Sequence, residues 1–145
     1  MLVFFILVTE KTAHTTDTDL ENKWSQMFEG PLYCWDLNKK RMMLLLATLA
    51  RWNPDVSPLY QDQLIIIVGL DVGGSGPNNL RALKIAISRK LGITFLAIGN
   101  AYNRLYAFEH EEHRKTVLAL LEEKMTAKKL DHLRKELQAH RRRNW

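Results

Sequence analysis

The stretch LIIIVGLDVGGSGPNN, Leu64–Asn79, runs an apolar segment into an aspartate, glycines, a serine and a proline. Glycines at the entry to a helix let backbone N–H groups converge, and the helix dipole adds a partial positive charge, so such a turn suits an anion. The candidate anion cradle is Gly73, Gly74, Ser75 and Gly76, with Asn78 and Asn79 as side-chain donors. The spacing is neither G-x-G-x-x-G nor G-x-x-x-x-G-K-[ST], so it specifies no nucleotide, and a glycine turn also serves simply to let a helix pack closely.

A second chemistry lies at the C-terminal end. From Lys124 to Trp145 there are eight Lys/Arg against Asp131 and Glu136, a net of +6, so the rest of a +5 chain carries −1. Lys128, Lys129, Arg134, Lys135, Arg141, Arg142 and Arg143 are the candidate phosphate contacts. A basic segment on a near-neutral body favours an acidic partner, of which nucleic acid is the commonest. Trp145, directly after the arginines and Asn144, suits stacking on a base or docking in a groove.

Other groups offer less. His110-Glu111-Glu112-His113 places two histidines at i, i+3 with no evident third metal ligand, so both are expected in solvent among charges. Cys34 is alone, which excludes an intrachain disulfide within this sequence, and it is expected to be a small buried residue. No nucleophile elbow, HExxH or zinc spacing occurs. No catalytic residue, metal or cofactor is assigned. Two family patterns are approached without being met. The acid pair of Toprim metal sites is missing because position 73 is Gly73, and the loop here follows a predicted strand, unlike the GXXG loop of KH domains.

The elements that would position these groups read as α/β. Leu64–Val72 is nearly continuous in β-branched residues, as in strands buried on both faces. Pro77 suits a first helical turn, Leu80, Leu83, Ile87 and Leu91 form an inner face, and Gly92 stands where a helix-ending glycine belongs. ITFLAI, residues 93–98, follows as a strand. The fold class expected is therefore a small, mostly parallel sheet with a βαβ unit (strands about 64–72 and 93–98), flanking helices and a long basic C-terminal helix. In such a sheet Thr9, Glu10, Lys11, Asp71, Asn100, Tyr102 and Asn103 would open at one strand-end edge.

Around that unit, MLVFFILV (1–8) reads as a buried strand rather than a signal peptide, since it lacks a basic leader and a cleavage site. Thr18 and Glu21 have capping-box spacing before a helix carrying Leu20, Trp24, Met27 and Phe28. Asp36 or Asn38 caps a helix over about 39–52 that is apolar on more than one side. Residues 104–108 fit a last antiparallel strand in preference to a direct start of the final helix, and the chain is helical from Glu109 onward. Leu118, Leu121 and Met125 are out of phase with Leu130, Leu133 and Leu137, so either the helix breaks near Thr126, which could cap a new one, or its two halves pack on different surfaces, and the second half is expected to project from the body.

The domain division expected is 1–125 as the α/β body and 126–145 as a basic helical tail. The function expected is a non-enzymatic nucleic-acid-associated or assembly protein, the tail touching phosphates. A phosphate- or nucleotide-binding module using Asp71–Gly76, or a structural protein docking a partner or second copy through the C-terminal helix, are the alternatives. No segment reaches the ~20 apolar residues that span a bilayer, so a soluble intracellular chain is expected.

Overall fold

The structure, a computed structural model, describes residues 17–52, 59–70, 74–100 and 104–143. Six α-helices and one two-stranded antiparallel hairpin make up the described chain: α1 (Asp17–Met27), α2 (Leu37–Arg51), α3 (Gln61–Ile67), α4 (Gly76–Leu91), β1 (Phe95–Ile98), β2 (Leu105–Phe108), α5 (Glu111–Lys124) and α6 (Ala127–Arg143). The expected mostly parallel sheet with a βαβ unit is overturned.

The physical reason lies at Gln61–Leu70. The Gln63 side chain accepts from the Tyr60 N–H at 2.8 Å and closes the start of α3. Gly69, at φ +80°, ends it. The Leu70 N–H reaches the Ile65 carbonyl at 2.9 Å and the Gly69 N–H reaches that of Ile66 at 3.0 Å, the two bonds of a Schellman motif. Leu64, Ile65 and Val68 are buried while Ile66 is exposed, a helical period rather than a strand's alternation. β-branched residues have only a weak preference against helix, and burial of one face outweighs it.

α2 is the central element. Asp36 caps it, its side chain accepting from the Lys39 N–H at 2.8 Å, and every residue from Met42 to Ala47 is buried. Neighbours therefore cover it on several sides, α3, α4, α5, α6 and β2 all packing against it. Arg114 on α5 donates to the Ala50 carbonyl at 2.9 Å and so satisfies one orphan acceptor in the last turn of α2. α1 lays Leu20, Trp24 and Met27 into the same core. Thr18 is itself helical and so does not cap α1.

The hairpin is as expected at its second strand. Phe95 pairs with Phe108, Leu96 with Ala107, Ala97 with Tyr106 and Ile98 with Leu105. Phe95 and Phe108 meet ring edge to ring face at 5.1 Å. Tyr60 forms a single antiparallel bridge with Leu105, and the Gln61 N–H donates to the Arg104 carbonyl at 2.9 Å, so the entry to α3 is stitched to the outer edge of β2.

The chain does break where the two leucine stripes fall out of phase. Met125 leaves the helical region, and Thr126 caps α6 through its hydroxyl, which accepts from the Lys129 N–H at 3.2 Å. The expectation that the second stripe projects from the body is corrected, because Leu130, Leu133 and Leu137 are buried against it. Lys40 on α2, itself buried, donates to Glu136 at 2.5 Å, and the Gln138 amide donates to the Ile66 carbonyl at 2.5 Å. A Cβ built on Gly69 would stand 3.0 Å from the Leu137 Cβ, so α6 runs directly over that glycine. Three leucines covered by α2 and α3 recover enough apolar area to order a helix that is otherwise highly charged.

Candidate nucleic-acid interface

α3, the connection 68–75 and α4 form two successive helices with the second presented outward, and the hairpin follows immediately behind it. The connection is longer than the three or four residues of the tightest DNA-binding helix pairs. α4 divides cleanly. Leu80, Leu83, Ile87 and Leu91 are buried, while Asn78, Arg81, Ala82, Ile85 and Arg89 are exposed along the opposite face. These outward positions recur at three- and four-residue steps, so they form one stripe. The helix carries Arg81, Lys84, Arg89 and Lys90 and no carboxylate.

The hairpin extends this charge. Lys84 lies with its ammonium 3.8 Å from the centre of the Tyr106 ring on β2. Tyr106 is fixed in turn by its hydroxyl, which donates to the Gln61 side-chain oxygen at 2.6 Å. Burial, followed by the positive charges of Arg104 and Arg81, holds the Lys84 ammonium below its usual basicity. Two arginines thus stand near enough to Lys84 to be felt as repulsion, with no carboxylate on α4 to offset them. Ile85, 44% exposed, adds an apolar component to the outward face of α4.

No family model, curated protein or solved structure matches the chain.

The structure brings together only part of the residues singled out from sequence. Gly74, Ser75, Gly76, Asn78 and Asn79 stand at the start of α4, where the Asn79 side chain donates to the Ser75 hydroxyl at 3.2 Å and its N–H to the Ser75 carbonyl at 2.8 Å. Gly73, Asp71, Tyr102, Asn103 and the segment containing Thr9, Glu10 and Lys11 lie outside the described residues, as does the N-terminal stretch 1–8. The strand-end edge that was to gather them has no counterpart among the described residues, since residues 64–67 are helical.

On α6, Lys128, Lys129, Arg134 and Lys135 are exposed, while the side chains of Arg141, Arg142 and Arg143 lie outside the described residues. Arg134 and Lys135 both pair with Asp131, and these contacts hold the Asp131 carboxyl below its usual range. The positive charge of α6 is therefore partly answered by its own acids, unlike that of α4.

Two further expectations change. Cys34 is exposed in a 3-10 turn, Leu32–Cys34, because Trp35 and not Cys34 fills the adjoining core position. His113 is 1% exposed, its ring 5.2 Å from that of His110, because it falls on the inward face of α5 with Val117, Leu120 and Leu121. Among the described residues no cluster of three metal-ligating side chains occurs, and no helix is long and apolar enough to cross a membrane.

The residues that sequence reasoning passed over are Arg81, Lys84, Arg89 and Arg104. Their signal was present: Gly76–Leu91 has four cations and no acid. Balancing charge over the whole body at −1 averaged this away.

Proposed function

We propose that the chain binds duplex nucleic acid, with the outward stripe of α4 in a major groove and Arg104 of the hairpin on the adjoining backbone. The observation that carries this reading is the carboxylate-free helix α4 with Arg81 and Lys84 on it and Arg104 beside them, where burial, and after it the positive charges of Arg104 and Arg81, lower the basicity of Lys84. Phosphates relieve that repulsion, which is the electrostatic source of affinity for a polyanion. A helix of 16 residues is about 24 Å long and slim enough for the ~12 Å major groove of B-form DNA. On its stripe, Asn78 and Arg81 offer hydrogen bonds to base edges, and Ala82 and Ile85 offer apolar contact to a thymine methyl. Free N–H groups at the start of α4, and Lys128 and Lys129 on α6, serve as further phosphate contacts.

The test is fluorescence anisotropy on a labelled duplex over a salt series. The four cations Arg81, Lys84, Arg89 and Arg104 contribute about −3.6 to the log–log salt slope, and Lys128 and Lys129 add up to about −1.8. Changing Arg81→Gln, Lys84→Gln and Arg104→Gln together should flatten it by about 2.7, and Lys128→Gln with Lys129→Gln by at most about 1.8. Circular dichroism checks that both variants fold. Absence of salt-dependent binding refutes the function. An unchanged slope in the triple variant with a large loss in the α6 variant moves the interface to the C-terminal helix.

A further inference from the structure

A second site of different chemistry lies away from the α4 stripe, and it stands whether or not the chain binds nucleic acid. Between α1, the 3-10 turn at 32–34 and the joint of α5 with α6 is a cleft of about 510 Å³, within the range of small-molecule sites. Trp24, Phe28, Trp35, Met43 and Met125 line it. The rings form a continuous run, with centroids 4.8 Å apart from Trp24 to Phe28 and 5.4 Å from Phe28 to Trp35. The one polar atom of Trp35 is already engaged: its indole N–H donates to the Glu29 carbonyl at 3.1 Å and the Gly30 carbonyl at 3.3 Å. The wall therefore asks its occupant for apolar and aromatic surface rather than for hydrogen bonds.

The mouth supplies charge. Lys124 and Lys129 line it, and among the described residues neither is held in an ion pair. The Lys124 ammonium is steered by a hydrogen bond to the Ser25 hydroxyl at 2.9 Å, across from α5 to α1. Glu29 also lines the cleft, so two lysines and one glutamate give its lining a net positive charge. Aromatic walls below two unpaired ammonium groups match a flat apolar body carrying one anionic group.

We propose that this cleft binds a small aromatic carboxylate, its ring system among Trp24, Phe28 and Trp35 and its carboxylate at Lys124 and Lys129. Methionines at two walls let the cleft adjust to ring size, since a thioether side chain is flexible and makes favourable contacts with aromatic edges.

The probes are 1-naphthylacetate and 2-(1-naphthyl)ethylamine, which share a ring and a two-carbon scale of side chain but carry opposite charge. Full-length protein is titrated with each by calorimetry, and the indole N–H signals are followed by nuclear magnetic resonance. The acid should bind with saturation at one site and at least tenfold more tightly than the amine. Shifts should occur at Trp24 and Trp35 but not at Trp52, which lines a separate cleft. In the Lys124→Gln, Lys129→Gln variant the acid should lose most of its advantage, with the thermal midpoint near that of the native chain because both side chains are exposed. Lack of saturable binding, equal binding of acid and amine in the native chain, preference for the amine, or shifts confined to Trp52 each overturns the proposal. An unaltered preference for the acid in the lysine variant does so too.

Discussion

Replacing Gly69 with alanine tests the seating of α6 more sharply than any leucine truncation. Gly69 has φ +80°, and a Cβ there would meet the Leu137 Cβ at 3.0 Å and its carbonyl oxygen at 3.1 Å. Gly30 provides a matched control, with φ +82° and nothing within 4 Å of its Cβ position. A left-handed backbone costs an alanine about 1–2 kcal/mol at either site. The loss of unfolded-chain freedom returns roughly 0.4–1 kcal/mol at both. Gly30→Ala should therefore destabilise by only about 1 kcal/mol. Gly69→Ala adds an overpacking term of about 1–3 kcal/mol, because the obstruction includes helix backbone that cannot rotate aside. Urea unfolding measures the difference. With a slope near ~2 kcal/mol per molar, the midpoints of the two variants should differ by about 0.5–1.5 M. Coincident midpoints would refute the reasoning, since α6 could not then lie on Gly69 in solution.

Other outcomes follow from the same geometry. Tyr106→Phe leaves the Gln61 side chain without its 2.6 Å donor and should cost about 1 kcal/mol in thermal unfolding, while keeping the ring under Lys84. Glu136→Leu should destabilise more than Lys40→Met in urea titrations, because the first strands a buried ammonium and the second strands a carboxylate that is partly in water. The Asp131 carboxyl is held low by Lys135 and then Arg134, so its contribution is present above its ordinary value of 3.8 and is lost as pH falls through the lower folded value. Asp131→Asn should accordingly flatten the acid limb of a stability–pH curve. Since phosphate favours the charged form of Lys84, whose basicity is lowered in the free chain, duplex binding should take up protons at alkaline pH. Its affinity should fall as pH rises there, a dependence that disappears in Lys84→Gln.

Much of the local structure was legible in the residues. Pro77 and Gly92 bracket α4 closely, Asp36 caps α2, and Thr126 restarts the chain as α6. Each of these is a short-range device whose geometry depends on one or two side chains. The error at Leu64–Val72 came from a short apolar run, in which β-branched residues favour a strand while Gly69 supplies a helix stop. Periodicity over four residues cannot separate the two, and the deciding contact is remote: α6 covers Gly69 from 68 residues farther along. The candidate interface was missed for a related reason. Arg104 joins Arg81 and Lys84 only when the hairpin folds back beside α4, a proximity that no spacing in the sequence encodes. His113 was misplaced because its neighbours in sequence are charged while its neighbours at helical spacing are Val117 and Leu120.

The docking of α6 also bears on how the chain folds as it is made. Lys40 meets Glu136 across 96 residues, and the Ile66 carbonyl waits for Gln138 across 72. Until α6 has been synthesised, its contacts with α2 and α3 cannot form and the Lys40 ammonium lacks Glu136. At about 5–20 residues per second, the stretch from Leu70 to Leu137 takes roughly 3–14 s to synthesise. Through that interval Lys40 and the Ile66 carbonyl are without the partners that α6 brings, so these contacts belong to the late-forming part of the fold.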